Sequence, residues 1–260
     1  FGQVRRRTYR GHGGGHASRP GELQPPAGSP RLAVGLGQAP GQVASFTGNK
    51  GDSKSIRRYS FPVEFTQDWF VQNMDVWPTF FRRHSWNAEE PKSILEIGCF
   101  EGLSTCWMLN NLLKHSDSKI ICIDTFEGGI THVHDATNMT HVREIFFSNV
   151  EKTGRVDSVR VLEERSDTGL LRLLQENHES FDFIYVDGSH YATDVLADLV
   201  LSFRMLKVGG LCICDDYLWE GQSDPRHSPK MAIDAFTSIF SEQVQFVPVI
   251  NTQFAFKRIQ

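Results

Sequence analysis

Little in this sequence points to a disulfide framework, a zinc site or a membrane span. Its five cysteines, Cys99, Cys106, Cys122, Cys212 and Cys214, form no C-x-x-C pair. Four lie in or beside apolar strand-like runs and Cys106 falls on an expected helix, so the odd set reads as reduced core thiols of an intracellular, cytoplasmic protein. No apolar run approaches the ~20 residues that cross a bilayer, so no membrane partner is expected. There is no internal repeat. Acid is scarce at one end only. Residues 1–60 hold ten Arg and Lys against Glu22 and Asp52, whereas the remaining 200 residues hold 17 against 29, giving −4 over 260 residues. An acidic body lacks the basic face that binds phosphate backbones, which excludes nucleic acid from the expected partners.

The basic end, with "RGHGGGHASRPGELQPPAGSP", has no hydrophobic period. It cannot bury enough apolar surface to offset its ordering entropy, so residues 1–60 are expected to be a disordered Gly/Pro/Arg-rich segment. Its Arg-rich, acid-poor composition is also compatible with an organelle transit peptide. Residues 61–90 carry Phe65, Trp69, Phe70, Met74, Trp77, Phe80 and Phe81 at mostly helical spacing, broken by Pro78. They predict two short helices capping the main body. An aromatic stripe of this kind is core, with a share in a pocket wall as the sharper alternative.

From residue 91 onward strands and helices alternate. "SILEIG", "KIICID", "SVRVLE", "FDFIYVD" and "LCICDD" read as strands, with helices over 103–114, 137–152, 168–176 and 192–206. A further helix starts at Ser228-Pro229, and "VQFVPVI-NT-QFAFKRI" reads as a closing hairpin about a tight turn. This order predicts an α/β fold: a Rossmann-like, doubly wound, mostly parallel seven-stranded sheet with a C-terminal antiparallel hairpin.

In such a sheet ligands bind beyond the carboxyl ends of the strands. Strand one runs into "EIGCFEGLS", where Gly98 and Gly102 allow a tight turn at a helix start and Ser104 offers a hydroxyl there. The middle glycine of the dinucleotide fingerprint is replaced by Phe100, which counts against an NAD-dependent oxidoreductase. Strand two ends at Asp124, suited either to a ribose diol or to capping. After strand three, Ser166 is either an N-cap or a contact to a purine edge.

Strand four ends at Asp187, followed by Gly188 and His190, and strand five ends at Asp215 and Asp216. Three carboxylates on one rim repel unless a cation sits among them, and their oxygens suit a hard divalent ion such as Mg²⁺. His190 is either a general base or a surface residue. His132 and His134 read as loop, or as a substrate lid.

Together these residues resemble class I S-adenosylmethionine-dependent methyltransferases, over about residues 92–257. The likeness extends to the catechol-type and sugar O-methyltransferases and to the methyltransferase 24 family. Glu96, Gly98, Gly102 and Ser104 match the family's E-x-G-x-x-x-G-x-S. The resemblance implies that Ser104 binds the methionine carboxylate of S-adenosylmethionine, Asp124 its ribose and Ser166 its adenine. It further implies that Asp187 borders the cofactor and joins Asp215 and Asp216 in holding the metal, although the family's Asn stands as Asp at 216. The implied acceptor is a small-molecule or sugar hydroxyl, with His190 as base. A cofactor-binding module without turnover is the alternative from another class, and a homo-oligomer stays open.

Overall fold

The computed structural model describes residues 63–129, 137–176, 180–219, 224–248 and 251–260. The expected disordered segment 1–60 and the His132/His134 loop lie outside the described residues.

Five parallel strands, β1 (Ser93–Ile97), β2 (Lys119–Ile123), β3 (Val159–Leu162), β4 (Phe181–Val186) and β5 (Leu206–Cys214), are joined by β6 (Val244–Val247) and β7 (Phe254–Arg258). The sheet order is β3-β2-β1-β4-β5-β7-β6, with β7 antiparallel to both neighbours. The chain moves outward from β1 to β3 and then returns to place β4 against β1. The order therefore reverses between β1 and β4, and a crevice opens above that point. The closing hairpin is as expected except at its turn, where six residues, 248–253, separate the two strands.

Side chains along the strands alternate between two cores, as the twofold period of a strand requires. Ile94, Phe183, Tyr185 and Ile213 face one core together with α1 (Val71–Arg83), α2 (Leu103–Asn111) and α3 (Val142–Lys152). Leu95, Ile97, Ile184, Val186 and Cys214 face the other with α4 (Ser166–Gln175), α5 (Ala192–Phe203) and α6 (Pro229–Ile239). Helices thus cover both faces, and all five cysteines are buried and unpaired within these layers.

The N-terminal cap differs from expectation. One helix, α1, replaces the two predicted, and Pro78 lies inside it. The lost hydrogen bond and the ring clash cost roughly 3 kcal/mol, but the helix buries Trp77, Phe80 and Phe81 at 0–4% exposure. Trp77 meets Phe70, Phe81, Trp107, Phe183 and Tyr185 edge-on with centroids 4.8–5.6 Å apart. Each buried aromatic contributes on the order of 2–3 kcal/mol, so packing outweighs the proline.

The segment before α1 is tied down by polar contacts. Thr66 donates through its amide and its hydroxyl to the buried Glu101, both at 2.6 Å, and Asn149 bonds the backbone of Glu64 in both directions. That anchoring sets residues 67–72 beside the crevice.

Candidate functional site

A cleft of about 910 Å³ opens at the carboxyl ends of β1 and β4, lined by residues 67–72 and by the loops after β1 to β5. Its floor is the turn after β1. Gly98 has φ +80°, and a Cβ there would fall 2.1 Å from the carbonyl oxygen of Asp187, so only glycine lets the two central strands meet this closely. Gly102, at φ +84°, precedes α2 and turns the chain into the helix, whose first residues, Leu103 and Ser104, line the cleft.

Asp124 closes the turn from the next strand. It accepts from the amides of Cys99 and Phe100 at 2.7 and 2.9 Å through one oxygen, and from Phe126 at 2.8 Å through the other. The oxygen that accepts only from Phe126 keeps a lone pair that a hydroxyl entering the cleft could use.

Glu96 lies beneath the turn, fully buried, and is not part of the cleft wall. Ser104 donates to one of its oxygens in a short hydrogen bond, Thr105 to the other at 2.5 Å, and Cys122 approaches at 3.5 Å. Burial pushes its pKa up to about 7 even though these donors favour the charged form. Glu96 therefore acts on the cleft through Ser104, which does line it.

Tyr185 joins Asp187 and Asp215, while Asp216, near enough for its charge to act on both, pairs with His190. Tyr185, Asp187 and Asp215 share one sheet face, because Asp187 lies two residues beyond Tyr185 and Asp215 two beyond its register partner Ile213. The Tyr185 hydroxyl reaches Asp187 at 2.9 Å and makes a short hydrogen bond to Asp215. Gln253 donates to the same Asp215 oxygen at 3.1 Å and accepts from the indole N–H of the buried Trp77 at 2.8 Å. Burial first, then the neighbouring carboxylates, raise the pKa values of Asp187 and Asp215.

Asp216, one residue on and at φ +54°, turns instead to His190, whose Nε2 lies 2.8 Å from its carboxylate. Among the described residues no group of three His, Cys, Asp or Glu side chains is arranged to hold a metal ion. The set expected to bind Mg²⁺ does not fit one as arranged: protein donors already hold two of the carboxylates and an imidazole holds the third.

Ser166 lies at the cleft wall, as expected, but does not cap its helix. Arg165 occupies the N-cap position and Ser166 is the first helical residue. His190 lines the cleft, edge-on to Trp219 with centroids 4.5 Å apart. The aromatic stripe is divided: Trp77, Phe80 and Phe81 are core, while Trp69 and Phe70 also face the cleft, with Trp69 5.0 Å from Phe100.

Residues 95–217 match the model of a family described as a methyltransferase domain, methyltransferase 24. A curated relative, the O-methyltransferase hkm8 of Aspergillus hancockii, is 26% identical over 129 residues, which are 50% of this chain and 44% of hkm8. The chain thus spans less than half the length of that relative.

Two solved structures share the fold. The O-methyltransferase TomG from Streptomyces achromogenes, involved in tomaymycin synthesis and solved with SAM, has TM-score 0.53 at 15% identity over 75% of this chain and 82% of its own. The O-methyltransferase NovP has TM-score 0.52 at 17% identity over 73% and 79%.

The site also contains residues that sequence reasoning missed. Tyr185 was legible in principle, since it stands two positions before Asp187 on a strand. Gln253 and Trp77 carried no such signal, because only the folded sheet brings both chain regions to Asp215.

Proposed function

We propose that this domain transfers a methyl group from S-adenosylmethionine to a hydroxyl of a small molecule or a sugar. The observation that carries the reading is the cleft at the β1/β4 switch, floored by the Gly98 turn and walled by Ser104, Asp124, Ser166 and Asp187. In this reading Gly98 and Gly102 let the backbone approach the cofactor, Ser104 meets its carboxylate, Asp124 its ribose hydroxyls and Ser166 its purine. Asp187 borders the same space. Glu96 holds Ser104 from below. S-adenosylmethionine, when bound, supplies an electrophilic methyl group.

His190 takes the proton of the acceptor hydroxyl. Its Nε2 lies 2.8 Å from the Asp216 carboxylate, which leaves the unpartnered Nδ1 to take the proton once the ring turns that buried edge to the cleft. Trp219 and Asp216 fix the ring, and such positioning supplies much of the acceleration available without covalent chemistry. No step is routed through a divalent ion, because Tyr185 and Gln253 engage Asp187 and Asp215, and His190 engages Asp216. A nicotinamide dinucleotide is disfavoured by Phe100, whose side chain stands where the fingerprint needs glycine, against Trp69.

Calorimetry with S-adenosylhomocysteine, followed by a labelled-methyl screen of phenols, sugars and aliphatic alcohols, tests the proposal. Micromolar binding and transfer to one hydroxyl class are expected. Absence of binding overturns it.

A further inference from the structure

We infer that Glu101 is a positioning residue: it fastens the wall that carries Trp69 to the turn after β1, so that wall and turn hold S-adenosylmethionine as one unit. The inference rests on the reading that the cleft takes that cofactor.

Glu101 is 1% exposed and does not line the cleft, whereas its neighbours Cys99, Phe100 and Leu103 do. Its side chain leaves the turn and meets the segment ahead of α1. Oε2 accepts from the Thr66 amide and Oε1 from the Thr66 hydroxyl, each at 2.6 Å. Both oxygens are thus engaged by one residue, through the strong, charge-assisted kind of hydrogen bond that a carboxylate makes. Asn149 of α3 closes the knot. It accepts from the Glu64 amide at 3.0 Å and donates to the carbonyls of Glu64 at 2.8 Å and Glu101 at 3.1 Å. One buried amide side chain therefore bonds the wall and the turn at once.

The other end of the wall is pinned by packing. Phe70 is buried and lies edge-on to Trp77, Trp107 and Tyr185 at 4.8, 6.0 and 6.2 Å. From Thr66 to Phe70 the chain has a reach of at most about 14 Å. Gln67, Asp68 and Trp69 fill that gap, and all three line the cleft. A span this short cannot swing without breaking one pin.

Phe100 joins the wall to the cofactor turn. Its ring lies 5.0 Å from that of the half-exposed Trp69, and its amide donates to Asp124 at 2.9 Å. Its φ of +46° is a conformation that residues with side chains seldom adopt. Residues 100 and 101 thus bond the cleft floor, meet Trp69 and pin Thr66. A cofactor seated on the turn finds the wall already in place, with little left to order at the moment of binding. Releasing Thr66 frees the wall at one end and moves that ordering cost onto the ligand.

Calorimetry with S-adenosylhomocysteine and acrylamide quenching of tryptophan fluorescence, both on the full chain, test this. Trp69→Ala supplies the signal of the remaining tryptophans. Glu101→Ala should roughly double the quenching of Trp69 and weaken S-adenosylhomocysteine binding about tenfold. Glu101→Gln can still accept from the Thr66 amide and donate to its hydroxyl, so both readings should return to within about twofold of wild type. Trp69→Ala should weaken binding as much as Glu101→Ala, and the double variant should lose no more than either single one. Thr66→Val, at an exposed position, should raise the quenching and weaken binding about threefold with an unchanged melting temperature.

Wild-type quenching and affinity in Thr66→Val, additive losses in the double variant, or a Glu101→Ala that only lowers the melting temperature would overturn the inference while sparing the proposed function. A wild type that does not bind S-adenosylhomocysteine overturns the proposed function itself.

Discussion

The carbonyl oxygen of Asp187 occupies the space where a side chain on Gly98 would begin, 2.1 Å from an ideal Cβ. The two strands at the reversal of sheet order touch backbone to backbone, and the cleft floor is only as deep as that contact allows. Gly98→Ala would force the β1 turn away from β4 and would add a side chain at φ +80°. The expected cost is about 3 kcal/mol of stability, with S-adenosylhomocysteine binding weakened at least about a hundredfold, since a turn shifted by an ångström misplaces every group on it. Urea denaturation and calorimetry read the two effects. Wild-type binding in this variant would show that the close approach is not required.

Glu96 makes stability depend on pH in a direction opposite to that of an ordinary surface carboxylate. Its pKa rises from 4.5 in the unfolded chain to about 7 in the native one, chiefly through burial. Between those values the native state binds more protons, so stability falls as pH rises from about 4.5 to about 7 and levels off above. The gap corresponds to roughly 3 kcal/mol at about 1.4 kcal/mol per pKa unit. Glu96→Gln should shrink the fall by about that amount when unfolding is followed at pH 5, 6, 7 and 8. An unaltered pH profile would remove Glu96 as its source.

The His190–Asp216 pair predicts a kinetic asymmetry. Asp216→Asn keeps a side chain of the same size but removes the charge that orients and stabilises a protonated imidazole. kcat should fall about a hundredfold, with KM for S-adenosylmethionine within about twofold. Because the carboxylates are held by Tyr185, Gln253 and His190, the wild-type rate should be the same in EDTA as with added Mg²⁺. A rate abolished by EDTA and restored by Mg²⁺ would show that the carboxylates rearrange around an ion.

The sequence was most readable where local pattern and tertiary role coincide. Short apolar strands bounded by turns, each followed by a helix, predicted the sheet and its wrapping, and Ser228-Pro229 marked the start of α6. Gly98 and Asp124 could be found because strand ends carry the loops of such a fold. The carboxylate rim was harder. Adjacent residues in a strand point to opposite faces, so Asp215 and Asp216 were always going to diverge unless the chain bent, and the bend delivers Asp216 to an imidazole. Ser166 allows two readings by its place after a strand, an N-cap or a contact to a purine edge, and Arg165 takes the cap position. Pro78 was read as a break, and only the buried aromatic face of α1 explains why the helix continues. Asp198 carries no signal in the sequence pattern, and only the folded chain shows it buried.

The chain of contacts from Trp77 through Gln253 to Asp215 spans nearly the whole described domain. The recognisable family segment, 95–217, contains neither Trp77 nor Gln253. A fragment trimmed to that segment would keep every loop that resembles methyltransferases, yet lose Gln253, one of the two side chains bonded to Asp215 from other elements, and the Trp77 that holds it. The smallest complete site is therefore larger than the smallest recognisable segment, and its two outer margins support the acid at the rim as the glycine turn supports the cleft floor.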